Sequence, residues 1–192
     1  MKHAVVIGLV GMPGAGKSLA VEALVAKKSA KIVNMGDMVR EQLTKAGLPI
    51  TPENLGKMAE DLRKKRGPDV VAQLTAEKVA EVGKKGDLVV VDGLRSMQEV
   101  SYFRGRFRFP VLAIHSPPAT RHARMKERLR ADDSTKPGYY EERDARELKF
   151  GIADVIVLAD EMIVNSEQTT VAELQEMASK AIDRLVKEAG NP

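Results

Sequence analysis

One stretch decides the fold of this 192-residue chain: residues 5–18, VVIGLVGMPGAGKS. An apolar run opens directly into the pattern G-x-x-x-x-G-K-S, and the segment that follows, residues 19–25, has the composition of a helix. Glycines at these spacings let successive backbone N–H groups turn inward around an anion such as a polyphosphate. The pattern therefore predicts a buried strand, a phosphate-binding loop and a helix in that order.

The polar residues of this P-loop have expected roles. Lys17 supplies a mobile positive charge for the β- and γ-phosphates, and the Ser18 hydroxyl is placed to ligate Mg²⁺. The helix that follows points its N-terminal dipole at the same phosphates. We therefore expect ATP and Mg²⁺ as cofactors, and nucleotide contacts from Gly11, Gly14, Ala15, Gly16, Lys17, Ser18 and Leu19.

Composition limits the remaining possibilities. A length of 192 residues with 43% hydrophobic residues fits one domain, residues 1–192, with small inserts. The absence of cysteine excludes disulfides, thiolate metal sites and a cysteine nucleophile. There is no apolar stretch of about 18 residues and no leader of the signal-peptide kind, so we expect a soluble, cytoplasmic protein without membrane contacts. The net charge of +4 suggests anionic ligands.

Short apolar runs alternate with longer amphipathic ones along the chain. This alternation predicts an α/β fold, a three-layer P-loop NTPase sandwich in which helices cover both faces of a five-stranded parallel sheet. The predicted strands are residues 3–9, 31–34, 87–91, 110–115 and 161–164. A helical insert is expected over residues 36–86, with breaks at 47–49 and 67–68. Its second helix begins at Thr51-Pro52, where a capping residue precedes a proline.

Two acids follow predicted strands, where ligand sites lie in open α/β sheets. Asp92 comes after an apolar strand and is expected to hold Mg²⁺ directly or through water; the alternative is an aspartate that only starts a turn before Gly93. Asp37 and Arg40 lie three residues apart, so they share a helix face. A carboxylate near Mg²⁺ and a guanidinium near a substrate phosphate would both be reasonable at this place. For Asp37 the plainer alternative is an ordinary helix N-cap.

Residues 121–146 form an arginine-rich region that we expect to act as a short lid. Phosphoryl transfer needs mostly positioning and cationic stabilisation, which arginines on a mobile cover would supply. The alternative is a solvated helix, but Arg124 and Arg128 would then repel each other at i,i+4 unless an anion bridges them. Residues 132–138 have the composition of a lid tip.

With these motifs in view, the chain resembles nucleoside monophosphate kinases, adenylate kinase most of all. It is also similar to an archaeal family of P-loop kinases described as adenylate-kinase-related or dephospho-CoA-kinase-related. The segment Gly36-Asp37-Met38-Val39-Arg40 looks like the kinases' Gly-Asp-Met-Leu-Arg, and residues 92–98 look like their Asp-Gly-Phe-Pro-Arg with its downstream Gln. Arg124-x-x-x-Arg128 resembles a lid pair, and Arg130-x-Asp132-Asp133 with Arg143 resembles the group that closes on the transferring phosphoryl.

This resemblance implies ATP-dependent phosphoryl transfer to a nucleoside monophosphate, with the insert over residues 36–86 binding that acceptor. It implies acceptor contacts from Asp37, Arg40, Arg95 and Gln98, metal contacts from Ser18 and Asp92, and catalytic roles for Lys17, Arg124, Arg128, Arg130 and Arg143. The expected partner is a small-molecule nucleotide; the oligomeric state is open.

Two other functions remain open from the residues. A hydroxyl acceptor, such as dephospho-CoA, must lose a proton, and Asp37 could be the base. A nucleotide-binding regulatory protein associated with nucleic acid would use the basic residues Arg104, Arg106 and Arg108 and stack bases on Phe103, Phe107 and Phe109. The more ordinary interpretation of that alternation places the aromatics inward and the charges in water, so we do not expect nucleic acid as a partner.

Overall fold

A five-stranded parallel sheet forms the centre of the computed structural model, which describes residues 4–128 and 138–190. The strand order is β2-β3-β1-β4-β5. The strands are β1 (Val5–Val10), β2 (Lys31–Asn34), β3 (Leu88–Asp92), β4 (Val111–His115) and β5 (Glu161–Val164). The predicted strands and the α/β class are confirmed, with strand ends that differ by one or two residues.

Alternating side chains of the central strand divide the interior into two hydrophobic cores. Val6 and Val10 of β1 lie in one core, whereas Ile7 and Leu9 lie in the other. Successive side chains of a strand point to opposite faces, so continuous apolar runs are buried on both sides. This pattern makes the molecule a three-layer sandwich.

Helices cover both faces of the sheet. One core is closed by α1 (Lys17–Lys28) and α9 (Val171–Gly190). The other is closed by α2 (Met35–Lys45), α3 (Pro52–Arg66), α4 (Val70–Val82), α5 (Met97–Arg104) and α8 (Ile152–Val157). The helices α6 (Pro118–Arg128) and α7 (Tyr139–Lys149) belong to the arginine-rich region.

The predicted insert between β2 and β3 consists of the helices α2, α3 and α4. The Thr51 side chain caps α3 by accepting a hydrogen bond from the Asn54 N–H at 3.2 Å, as its sequence predicts. Gly67 ends α3 at a φ of 101°, a conformation that suits glycine. The predicted breaks therefore separate the helices as expected.

The sheet order brings three chain segments to one edge. The P-loop follows β1 at the centre of the sheet, and the segments after β3 and β2 lie beside it. Asp92 is in register with Leu9 of β1 and with Asn34 of β2. Parallel strands end on the same side, so these segments meet where ligands bind in folds of this kind. Within the described ranges, no helix is long and apolar enough to cross a membrane.

Candidate active site

The P-loop is shaped by two glycines with positive φ. Gly14 has a φ of 78° and Gly16 a φ of 105°, values that residues with a side chain rarely adopt. Gly16 is also the N-cap of α1, which begins at Lys17. Because glycine has no side chain, no side-chain cap occupies the N-terminus of α1, and the helix dipole at this end favours an anion.

The Lys17 ammonium lies inside the loop. Its Nζ donates to the Gly11 carbonyl at 2.6 Å and to the Met12 carbonyl at 3.4 Å. Burial lowers the pKa of Lys17, and the nearby Asp92 and Glu147 carboxylates oppose that effect. Ser18 follows in the first turn of α1 and is exposed.

Asp92 holds a buried carboxylate at the end of β3. Its Oδ2 accepts a hydrogen bond from Asn34 Nδ2 at 3.4 Å, whereas its Oδ1 is buried and has no hydrogen-bond partner among the described residues. Burial raises the pKa of Asp92, while Lys17 acts to lower it. An unpartnered buried acceptor is costly, so this oxygen is suited to a ligand.

The oxygen atoms of Asp92 and Ser18 are suitable ligands for a nucleotide-bound Mg²⁺. No cluster of three or more His, Cys, Asp or Glu side chains that could hold a metal occurs in residues 4–128 and 138–190. Mg²⁺ in phosphate-transferring sites is commonly held by one or two protein oxygens, with phosphates and water supplying the remainder. The buried Oδ1 of Asp92 and the hydroxyl of Ser18 are oxygens of that kind.

Asp37 and Arg40 lie in the first turns of α2. Asn34, not Asp37, caps this helix: its Oδ1 accepts from the Gly36 N–H at 2.8 Å. The N-cap alternative for Asp37 is therefore wrong. Instead, Asp37 accepts a hydrogen bond from Arg40 at 2.7 Å, and both side chains are about half exposed. Asp37 is close enough to Asp92 to raise its pKa.

Arg95 lies after β3 and faces α7. Its Nε is 3.0 Å from Oε2 of Glu147, whose side chain is only 9% exposed. The Arg95 guanidinium carbon also lies 5.7 Å from the centroid of the Phe150 ring. The positive charges of Arg95 and Arg143 add to the lowering of the Lys17 pKa that burial causes, so these side chains lie near the P-loop.

A second arginine at this place was missed from the sequence. Arg63 of α3 lies 3.4 Å from Oε1 of Glu99 and 5.0 Å from the Phe150 centroid. Glu99 is 1% exposed, and its Oε2 accepts from the Arg95 N–H at 2.8 Å. Burial raises the pKa of Glu99, although the Arg95 N–H and the Arg63 guanidinium act to lower it. The Ser96-x-x-Glu99 spacing is a capping-box signal that could have identified Glu99, but nothing local singles out Arg63.

Arg121 and Arg124 of the arginine-rich region bind different partners. Arg121 is 3% exposed and forms two hydrogen bonds to the Asp144 carboxylate. Arg124 instead points to the end of β5, where it donates to Asn165 Oδ1 at 3.2 Å and to the Ser166 carbonyl at 2.7 Å. The charge of Arg124 is therefore bound by oxygen acceptors of the protein.

Three further predicted residues belong to this region. Arg128 ends α6, Arg143 lies in α7, and both make polar or charged contacts. Arg130 lies outside the described residues, as does the expected lid tip apart from Gly138. The lid role of the region stays a prediction.

Gln98 lies in the first turn of α5. It is exposed and lines an open groove of about 560 Å³, together with Pro68, Asp69, Met97, Ser101 and Tyr102. The groove lies between the start of α4 and α5. The predicted base contact of Gln98 stays a prediction.

The aromatic residues proposed for base stacking are largely internal. Phe103 and Phe109 are 0% and 3% exposed, and their rings stack with centroids 4.5 Å apart. Arg104 is paired with Asp160 at 2.8 Å. The two phenylalanines belong to the core and Arg104 lies at the surface, as the more ordinary interpretation of the sequence expects.

Comparison with known proteins identifies the family. Residues 10–137 match the AAA domain family. A UPF0200 protein from Thermococcus onnurineus is 43% identical over 182 residues, covering 92% of this chain and 98% of the relative. The chain belongs to the AAA domain family and to the UPF0200 family. A second relative, UPF0200 protein MJ1399 from Methanocaldococcus jannaschii, is 46% identical and spans 84% of this chain and 81% of its own.

Solved structures confirm the P-loop kinase fold. TT1252 from Thermus thermophilus superposes with a TM-score of 0.63 at 20% identity, covering 95% of this chain and 98% of that one. Shikimate kinase from Bacteroides thetaiotaomicron gives a TM-score of 0.60 at 15% identity, with the same coverage. At these identities the likeness shows the fold alone. The finer resemblance to adenylate kinase stays a prediction.

Proposed function

We propose that this protein is an ATP-dependent kinase that transfers a phosphoryl group to a small anionic acceptor, preferentially a nucleoside monophosphate. The observation that carries the proposal is that Arg63 and Arg95 lie against one ring, Phe150, while Arg95 is close enough to Lys17 and Asp92 to affect the pKa of both. Arg40 adds a third guanidinium, paired with Asp37, whose carboxylate acts on Asp92. An acceptor that is already ionised needs cations more than it needs a base.

The nucleotide side would use the P-loop. Inward N–H groups and the N-terminus of α1 would bind the phosphates, and Lys17 would exchange the Gly11 carbonyl for a phosphate oxygen. Arg143 would add positive charge where the transferred phosphoryl becomes more negative. Mg²⁺, held by Ser18 and Asp92, would neutralise phosphate charge and orient the nucleotide.

The acceptor side would use the arginines. Arg63 and Arg95 both lie against the Phe150 ring, and their partners are the buried carboxylates of Glu99 and Glu147. These pairs hold two guanidinium groups close together without excess charge. An acceptor phosphate would then bind between groups that are already positioned, which lowers the entropic cost of binding.

A hydroxyl acceptor is the second candidate, and one observation favours it. The Asp37 carboxylate is exposed and close enough to Asp92 to affect its pKa. A carboxylate beside the metal-binding acid could accept the proton of an attacking hydroxyl. Arg40 would then orient Asp37 rather than bind a phosphate.

The test is ADP release from Mg-ATP with a panel of nucleoside monophosphates and dephospho-CoA, followed by kinetics of three variants with the best acceptor. For a monophosphate acceptor, Arg40→Ala and Arg95→Ala should each lower acceptor kcat/KM about 30- to 1,000-fold, and Asp37→Asn should cost less. Arg184→Ala, which removes an exposed arginine of α9, is the matched control.

Two results would change the conclusion. If Asp37→Asn lowers kcat far more than either arginine variant, the acceptor is a hydroxyl and the monophosphate proposal fails. If no acceptor raises ADP release above the intrinsic rate of ATP hydrolysis, the kinase proposal itself fails.

A further inference from the structure

The outward carbonyl groups of the P-loop have specific partners. A loop that turns its N–H groups inward toward an anion must point several carbonyls the other way. Buried carbonyls need hydrogen-bond donors, because leaving them unpaired is costly. Two of these donors come from side chains far from the loop in sequence: Arg121 Nη1 donates to the Pro13 carbonyl at 3.0 Å, and Asn165 Nδ2 donates to the Ala15 carbonyl at 2.9 Å.

Arg121 is itself fixed in position. Its Nε donates to the Ser116 carbonyl at 3.1 Å, and its two terminal nitrogens bind the Asp144 carboxylate at 2.9 and 2.6 Å. A guanidinium can reach three acceptors at once because its donors form a rigid fork. Arg121 therefore connects the P-loop to the end of β4 and to α7.

Asn165 is equally constrained. It is 2% exposed, and its Oδ1 accepts from Arg124 Nη2 at 3.2 Å. Since the oxygen faces a guanidinium, the amide nitrogen must face the Ala15 carbonyl. In the reverse orientation the amide oxygen would face the carbonyl oxygen, and the amide N–H₂ group would face the guanidinium. Arg124 therefore determines which end of the Asn165 amide reaches the P-loop.

Both residues also approach the loop closely, Arg121 through its backbone and Asn165 through its side chain. A Cβ on Gly14 would lie 2.8 Å from the Arg121 carbonyl oxygen, and a Cβ on Gly16 would lie 2.5 Å from Asn165 Nδ2. Glycine is needed at these positions both for the backbone conformation and for this contact. The loop is thus packed directly against the residues that hold its carbonyls.

We propose that Arg121 and Asn165 are positioning residues of the P-loop. They hold the Pro13 and Ala15 carbonyls outward, so the intervening N–H groups face the phosphates before a nucleotide arrives. A preformed loop loses less conformational entropy when it binds. This inference rests on the nucleotide-binding half of the proposed function and is independent of the acceptor.

The experiment compares Arg121→Met and Asn165→Leu with the wild-type protein. Isothermal titration at a temperature where every variant is folded gives Kd for Mg-ATP, and hydrogen exchange gives the protection of the amides of residues 14–17. Ile182→Val, a mild change on the buried face of α9, controls for lost stability. Arg121→Lys is the second variant at that site, because it keeps the charge opposite Asp144 but not the fork of donors.

Arg121→Met and Asn165→Leu should each raise Kd for Mg-ATP about tenfold or more. In both variants hydrogen exchange should accelerate at the amides of residues 14–17, while the β1 amides stay protected. Ile182→Val should change neither. Arg121→Lys should recover melting temperature more fully than affinity. The inference would be overturned if Arg121→Met and Asn165→Leu both left the Mg-ATP affinity and the hydrogen exchange of the loop unchanged. It would also be overturned if Ile182→Val produced the same changes. If the wild-type protein does not bind Mg-ATP, the proposed function fails. Hydrogen exchange of the loop then still tests whether Arg121 and Asn165 position it.

Discussion

The buried ion pair between Arg121 and Asp144 gives the sharpest stability prediction. The two side chains are 3% and 12% exposed, and the Arg121 Nη2 to Asp144 Oδ2 distance is 2.6 Å. Asp144→Asn keeps the size of the side chain but removes its charge and turns an amide N–H₂ group toward other donors. The Arg121 charge would then be buried without its counter-ion.

The size of the effect follows from what Arg121 retains. Breaking a buried ion pair by removing one partner costs about 3–5 kcal/mol. Because Arg121 keeps its bonds to the Pro13 and Ser116 carbonyls, we expect about 2–4 kcal/mol at pH 7. For a domain of this size that loss lowers Tm by roughly 4–16 °C.

The assay is urea unfolding of Asp144→Asn beside a matched control. Asp183→Asn removes the same charge from an exposed pair with Lys28, where Asp183 is 52% exposed, so it should cost less than about 1 kcal/mol. The slope of the unfolding free energy against urea should not change. If the two variants lose equal stability, the Arg121–Asp144 pair does not stabilise the fold as argued.

The effect of pH on this pair has a defined sign. Burial acts to raise the pKa of Asp144, but hydrogen bonds from Arg121 and His122 outweigh it and hold that pKa below its usual value. A depressed carboxyl pKa gives stability that is present above the unfolded value of about 3.9 and is lost as pH falls through the folded value. The stability difference between wild type and Asp144→Asn should therefore shrink as the solution is acidified below about pH 4.

Two further predictions concern the site itself. Burial raises the pKa of Asp92 and its Oδ1 is unpartnered, so ionisation of this carboxyl lowers stability progressively from the unfolded pKa of about 3.9 upward, and in full above the folded pKa. Asp92→Asn should therefore raise Tm at pH 7, measured by calorimetry, while Mg-ATP turnover falls about 100-fold or more. A fall in Tm would contradict the conclusion that the ionised Asp92 carboxylate destabilises the folded protein. Arg63→Gln should raise the KM of the acceptor about tenfold and leave the KM of ATP unchanged, in steady-state kinetics. An equal rise in both constants would show that Arg63 supports the fold and not the acceptor.

The sheet and the P-loop could be predicted because their signals are local. Strand β3 is a run of apolar residues with a single polar end, Asp92, and buried parallel strands require such runs. The insert helices are marked by caps and breaks at Thr51, Gly47 and Gly67. Each of these features is specified by neighbours within a few positions.

The pairings of the site could not be predicted, because they join distant positions. Arg63 and Glu99 are 36 residues apart, and Asn165 and Ala15 are 150 apart. A sequence shows that a residue is charged or polar, but the partner depends on how helices pack on the sheet. For this reason the sequence predicts Arg121 only as part of a lid, whereas its guanidinium lies against the P-loop.

Helix α7 connects the two halves of the site. Asp144 and Glu147 lie three residues apart and are both buried, so they share one face of the helix. Asp144 binds Arg121, which holds the P-loop, whereas Glu147 binds Arg95, which lies on the acceptor side. A displacement of α7 would therefore change both contacts at once. An acceptor that competes with Glu147 for Arg95 could displace α7. To the extent that α7 moves, the affinity of the P-loop for its nucleotide must change as well, because coupling between two sites is reciprocal.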